Sequence, residues 1–224
     1  SQEVFEAVSS MFDYFKDNAN REVLARVFTA FAKRDEELVQ VAALCEDLNS
    51  MSTKRLEVDY DRRLSAFREV NENLWEKLNA KQWRPLLYNM LYQVKDEEEL
   101  SIRSSASFGL RRFMERAVLN DVEAFEPLVA DVLFPALQSG VRQKSELIRS
   151  EFITALGYFV KLNPDRSNVQ DLHVLLVGDD EEASFFNNVL HIQQHRRLRA
   201  LRRLASEAGK GNIQASNIST IFIP

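Results

Sequence analysis

The chain has 224 residues and a formal net charge of −5, with 29 Lys and Arg against 34 Asp and Glu, so overall attraction to nucleic acid is excluded and any such contact has to be local. One Cys and 3 His exclude a disulfide framework and leave few ligands for a Cys/His zinc site, while 6 Gly and 5 Pro are too few for a turn-rich β architecture. With 45% hydrophobic and 28% charged residues, the composition can build a sizeable core and solvate its outside.

Apolar residues recur at three- and four-residue spacing almost throughout, which predicts helix after helix. Leu24, Phe28 and Phe31 form one stripe, and Leu38, Val41, Ala42, Cys45 and Leu48 form the next, after an N-cap-like Asp35. Leu64, Phe67, Leu74 and Leu78 mark a third helix, and Trp83 to Val94 a fourth. Ile102, Ala106, Leu110, Phe113 and Ala117 lie on a fifth, and the sixth, from Val122 to Leu137, is ended by Ser139-Gly140. A seventh helix runs from about Ser145 to Lys161 and stops before Asn163-Pro164. Leu172, Leu175 and Leu176 suggest a short helix, and the acidic loop Gly178-Asp179-Asp180-Glu181-Glu182 then leads into a long helix over roughly Ser184 to Ala208.

Several of these helices repeat one another. Ile102-Arg103-Ser104 before Leu110 and Phe113 matches Ile148-Arg149-Ser150 before Leu156 and Phe159 at a spacing of 46. Ala200-Leu201 and Leu204 follow at 45, and Ala66-Phe67 and Val70 precede at 43. These intervals fall in the roughly 40–47 residue range of HEAT and armadillo units. The expected fold is therefore all-α, a HEAT-like α-solenoid of stacked antiparallel helix pairs forming a single segment over 1–224. Small residues at Ala106, Gly109, Ala155, Gly157 and Ala200 would let neighbouring helices approach closely. The apolar stretch Ile218 to Pro224 reads as the start of another unit, so the chain is expected to be a fragment of a longer repeat protein.

Chemistry-bearing motifs are sparse. The most polarised element follows His191, where His195, Arg196, Arg197, Arg199, Arg202 and Arg203 precede the first acid, Glu207. At 100° per residue, Arg196, Arg199 and Arg203 share a face flanked by Arg202 and His195, with Leu201, Leu204 and Ala205 inward. Guanidinium forks suit RNA phosphates, but they equally suit ion pairs with neighbouring acids such as Asp179 to Glu182. His191 and His195 lack the His-Glu-x-x-His pattern, Gly209-Lys210-Gly211-Asn212 lacks a Walker context, and no nucleophile elbow occurs. Cys45 reads as a small buried hydrophobe, and the Asn217-Ile218-Ser219 sequon is a weak match. No enzyme, metal, cofactor, small-molecule substrate or membrane is expected. The opening Ser1-Gln2-Glu3-Val4 has no signal-peptide character, which points to a reducing compartment.

The run Glu181-Glu182-Ala183-Ser184-Phe185-Phe186-Asn187-Asn188-Val189-Leu190-His191-Ile192-Gln193-Gln194-His195, continuing through Arg196-Arg197-Leu198-Arg199-Ala200-Leu201-Arg202-Arg203-Leu204, resembles a segment of the HEAT-repeat subunit 20 family of the small-subunit processome, the down-regulated-in-metastasis family. Val58-Asp59-Tyr60-Asp61-Arg62-Arg63-Leu64-Ser65-Ala66-Phe67 is similar to a phrase of that family, as is the tail from Ile218, so the resemblance covers Val58 to Pro224. It implies a nucleolar, non-enzymatic scaffold of the U3 ribonucleoprotein machinery that supports pre-18S rRNA processing and small-subunit assembly. The implied partners are other processome proteins and pre-rRNA or U3 snoRNA. The competing reading is a protein-only HEAT adaptor of karyopherin-like type that grips peptides or helices.

Overall fold

The computed structural model describes residues 2–52, 57–178 and 180–223, and among them the regular structure is helical apart from one antiparallel bridge between Met51 and Val58. The chain divides into two compact units, Ser1–Leu128 and Val129–Pro224.

The first unit holds α1 (Gln2–Tyr14), α2 (Asn18–Ala32), α3 (Glu36–Leu48), α4 (Tyr60–Arg68), α5 (Ala80–Gln93), α6 (Leu100–Leu119) and α7 (Val122–Leu128). Side-chain oxygens start several of them. Asp17 accepts from the Asn20 N–H, Asp59 from the Arg62 N–H, and Asn79 forms a reciprocal capping box with Gln82. The apolar stripes then close on each other, α2 on α3, α3 on α4 and α5, and α6 on both α4 and α5. The first helix departs from a simple succession, because its main neighbour is α5. Phe12, Phe28, Leu38, Val41, Trp83, Leu86, Leu110 and Phe113 are fully buried here, and Trp83 meets Phe113 edge-on at 5.4 Å.

A polar cluster ties three of these helices together. Arg21 of α2 is fully buried and donates to Asn49 Oδ1 at 2.9 Å, Asn89 Oδ1 at 3.1 Å and the carbonyls of Phe12 and Phe15, with its guanidinium 3.4 Å from the Tyr92 ring centroid. Burial pushes its pKa down to about 10, so it remains a cation at neutral pH. Asn49 also donates to Asn89, and Asn89 returns a hydrogen bond to the Pro85 carbonyl. The buried charge is thus held by carbonyl and amide oxygens rather than by a carboxylate.

The second unit holds a π-helical stretch (Val129–Leu133), α8 (Phe134–Gly140), α9 (Glu146–Leu162), a 3-10 helix (Gln170–Leu175), α10 (Phe185–Asn188) and α11 (Gln194–Gly209). A last helical turn, Ala215–Asn217, passes into π-helical Ile218–Phe222. Close packing in this unit depends on glycine. A Cβ on Gly157 would stand 2.5 Å from Phe186 Cβ, and one on Gly140 would enter the Phe152 ring. Gly109 of the first unit plays the same part against Met90.

Three expected helices are corrected. The third passes from α4 into a π-helical stretch over Glu69–Leu74. The sixth is three elements, because Pro135 offers no N–H to the Asp131 carbonyl and the backbone widens to the π form over Val129–Leu133. The long helix over Ser184 to Ala208 is broken between Asn188 and Gln194. Its break is held by side chains that outcompete the helical ladder. Asn188 Nδ2 donates to the Ser184 and Glu182 carbonyls, and Arg197 takes the carbonyls of His191 and Ile192.

The repeat register keeps its interval of 46 between α6 and α9, and its other two intervals are corrected. Arg21, Arg63, Arg103, Arg149 and Arg197 are each the fourth residue of their helix, in α2, α4, α6, α9 and α11. Each donates to a carbonyl in the stretch leading into its own helix: Phe15, Ser50, Asp96, Gln143 with Lys144, and His191 with Ile192. The arginines recur at intervals of 42, 40, 46 and 48 residues. Ala200 therefore aligns with Phe152 and Leu204 with Leu156, three residues away from the alignment expected from residue type. Ala66 likewise aligns with Ala106, and Val70 with Leu110. In this register the third residue after each arginine, Leu24, Ala66, Ala106, Phe152 or Ala200, is buried every time.

Candidate interaction surfaces around the arginine helix

The arginines of α11 fall into two groups. Arg196 Nε donates to Asn188 Oδ1 at 2.6 Å and its Nη2 to the Glu182 carbonyl at 2.8 Å, while Nη1 lies 3.0 Å from His191 Nε2. Arg203 donates to the carbonyls of Val174 at 2.8 Å and Leu176 at 2.9 Å. With Arg197 on His191 and Ile192, these three satisfy carbonyls that irregular backbone would otherwise leave unpaired. The expected face of Arg196, Arg199 and Arg203 is therefore not a free surface.

Arg199, Arg202 and His195 form the second group. All three are exposed, and none has a hydrogen bond or ion pair among the described residues. Their spacing of four and three residues places them on one stripe of α11. Ion pairing of the arginines with the acidic loop does not appear among the described residues either. Asp179 lies outside them, Glu181 pairs with Lys161 at 3.0 Å, and Glu182 offers Arg196 its backbone oxygen.

The apolar side of α11 is corrected too. Leu201 is 50% exposed and Ala205 is exposed, with Ala200 the residue of the helix that is buried. Leu201 and Leu204 instead line a groove of about 390 Å³ in the second unit, together with Ile153 and Leu156 of α9, Phe185 and Phe186 of α10, and Phe222. Basic residues Arg142, Lys144 and Arg149 stand at its edge.

The remaining motifs resolve into structural roles. Slight burial and the charges of Arg196, His195 and Arg197 hold the His191 imidazole below its usual pKa. Gly209-Lys210-Gly211-Asn212 is a turn with Gly211 at φ +75°, and Glu207 accepts from both Lys210 and Asn212. Asn217 of the sequon is buried and donates to Asp171 Oδ1 and the Asn168 carbonyl, so its amide is not presented at the surface. Asp96 Oδ1 accepts from the Glu98 and Glu99 N–H groups ahead of α6, which makes that acidic run a helix start. Among the described residues no group of three or more His, Cys, Asp or Glu could hold a metal ion, and no helix is long and apolar enough to cross a membrane.

These features define an all-α protein whose distinctive polar side chains either lock helix junctions or line one exposed helix face. A family model described as U3 small nucleolar RNA-associated protein 20, N-terminal, matches residues 1–145, and the chain belongs to that family. The chain is 40% identical over 225 residues to U3 small nucleolar RNA-associated protein 20 of Schizosaccharomyces pombe, covering 98% of this chain and 9% of the relative. It is 34% identical over 228 residues to the Saccharomyces cerevisiae protein of the same name, covering 100% of this chain and 9% of the relative. The chain thus spans about a tenth of the length of these relatives. The family match takes in the first fifty residues, which carried none of the recognisable phrases.

Proposed function

We propose that this chain is a HEAT-like, non-enzymatic scaffold segment that serves the U3 small nucleolar RNA machinery in the nucleolus, in small-subunit ribosome assembly and pre-18S rRNA processing. Family membership carries the biological part of this reading. Five arginines at equal helix positions support the repeat part, because a repeated junction chemistry is what a stack of like units requires. The partners in this reading are other processome proteins together with pre-rRNA or U3 snoRNA.

The RNA contact is assigned to His195, Arg199 and Arg202. The observation that carries it is their shared, exposed and unengaged stripe on a chain whose net charge is −5. Two guanidinium forks one helical turn apart can bridge successive phosphates. Replacing Arg199 and Arg202 with Ala together should weaken binding of a single-stranded RNA oligonucleotide by about tenfold and flatten the salt slope by roughly 1–1.5. Fluorescence anisotropy at several salt concentrations measures both. Unchanged affinity and slope would overturn the contact and favour the protein-only adaptor.

A further inference from the structure

We infer that the groove between α9 and α11 is a docking site for an amphipathic helix of another protein, one whose apolar anchors are flanked by carboxylates. The inference does not rest on the RNA reading, since Arg199 and Arg202 are not among the groove's lining residues.

The shape comes from the packing of the second unit. Both α9 and α11 pack on the short α10, so Phe185 and Phe186 form a floor and the two longer helices form walls. Ile153 and Leu156 line one wall and Leu201 and Leu204 the other, with Phe222 at the end. A volume of about 390 Å³ takes a few large apolar side chains, and half-exposed Leu201 leaves apolar area for a partner to cover. A third helix laid on two neighbouring helices satisfies its own backbone internally, which irregular chain over such an apolar surface cannot do.

The edge specifies the charge. Arg142, Lys144 and Arg149 contribute to the lining, and no Asp or Glu among the described residues does. Arg142 spends Nη2 on the Ser219 carbonyl and Arg149 spends Nη1 on Gln143 and Lys144, so each retains further donors. The Lys144 ammonium is exposed and has no hydrogen bond or ion pair among the described residues. Against a chain that is acidic overall, this local positive edge favours a helix with Glu or Asp beside its apolar face and disfavours a basic one. RNA fits less well, because the basic edge could meet its phosphates but its ribose hydroxyls would lose water against leucine and phenylalanine walls that an apolar helix face fills.

The test uses the 224-residue chain and a fluorescein-labelled, designed 18-residue helical peptide with Leu at positions i, i+4 and i+7 and Glu on both flanks. Saturable binding is expected by anisotropy. Leu201→Asp should weaken it at least about tenfold, by placing a carboxylate in the apolar wall. Because Leu201 is half-exposed, that variant keeps its core, and an unchanged circular-dichroism melt verifies this. Arg142→Glu with Lys144→Glu should weaken the Glu peptide several-fold and gain affinity for the same peptide carrying Lys in place of Glu. Absence of saturable binding, insensitivity to Leu201→Asp, or failure of the charge swap would overturn the proposal. So would sedimentation showing self-association that Leu201→Asp abolishes, since the occupant would then be a second copy, or displacement of the peptide by an RNA oligonucleotide in the Arg199→Ala, Arg202→Ala background.

Discussion

Cys45 sits on the inner face of α3 with no exposed surface, its sulfur 3.6 Å from the Asn89 amide nitrogen. Burial raises its thiol pKa, and the charge of Arg21 offsets this only in part. The reactive thiolate is therefore both scarce and unreachable, so an aromatic disulfide reagent should leave the native chain unlabelled at neutral pH and label it fully in strong denaturant. Rapid labelling of the folded chain would show that α3 opens locally. The arginines demand the same attention to surroundings. Arg197 and Arg199 are two positions apart on one helix, yet one donates to two loop carbonyls and the other has no such partner among the described residues. Residue type and helical angle do not separate them, because the deciding factor is the carbonyls of a helix break that the sequence does not display.

At the scale of the element, glycine tolerance distinguishes the helix contacts. Ala in place of Gly within a helix gains about 0.5–1 kcal/mol from backbone entropy, so its sign depends on what the new methyl meets. At Gly157 it meets Phe186 Cβ and Cγ at 2.5 and 2.7 Å, atoms fixed near the backbone, and Gly157→Ala should lower stability by about 1–3 kcal/mol in urea unfolding. At Gly109 it meets the Sδ and Cε of Met90, the end of a flexible chain, and Gly109→Ala should fall within about 1 kcal/mol of the parent. Equal costs at both positions would contradict this distinction. Sequence periodicity locates most of these helices, and it singles out Gly109 and Gly157 as close-approach positions. It misses the break after Asn188 because the apolar pattern runs on through Val189, while the break is enforced by Asn188, Arg196 and Arg197 side chains. The stripe of Arg199, Arg202 and His195 was legible as residues, but the face was not, since that depends on which arginines the loops consume.

At the scale of the whole molecule, the arginine at the fourth helical residue makes the repeat testable. Every helix start leaves backbone donors unpaired within the helix, and the loop before it leaves carbonyls unpaired; an arginine at this position reaches back to the latter. Its worth depends on burial. Arg21 and Arg63 are 0% and 3% exposed, so Arg21→Ala strands several buried oxygens and should cost about 3–5 kcal/mol. Arg63→Ala should cost nearly as much, since the Ser50 carbonyl and Asn18 lose their donor. Arg149 and Arg197 are half-buried, and water can replace them at the Gln143 and His191 carbonyls, so alanine there should cost roughly 1–2 kcal/mol. Arg199→Ala and Arg202→Ala should stay within about 0.5 kcal/mol of the parent, having nothing described to lose. Hydrogen exchange should show faster opening of the altered helix and its preceding loop in each clamp variant, and no local change in the Arg199 and Arg202 variants. A flat series, in which all six substitutions perturb stability alike, would mean that the shared helix position is coincidence and would remove the physical support for a repeated unit.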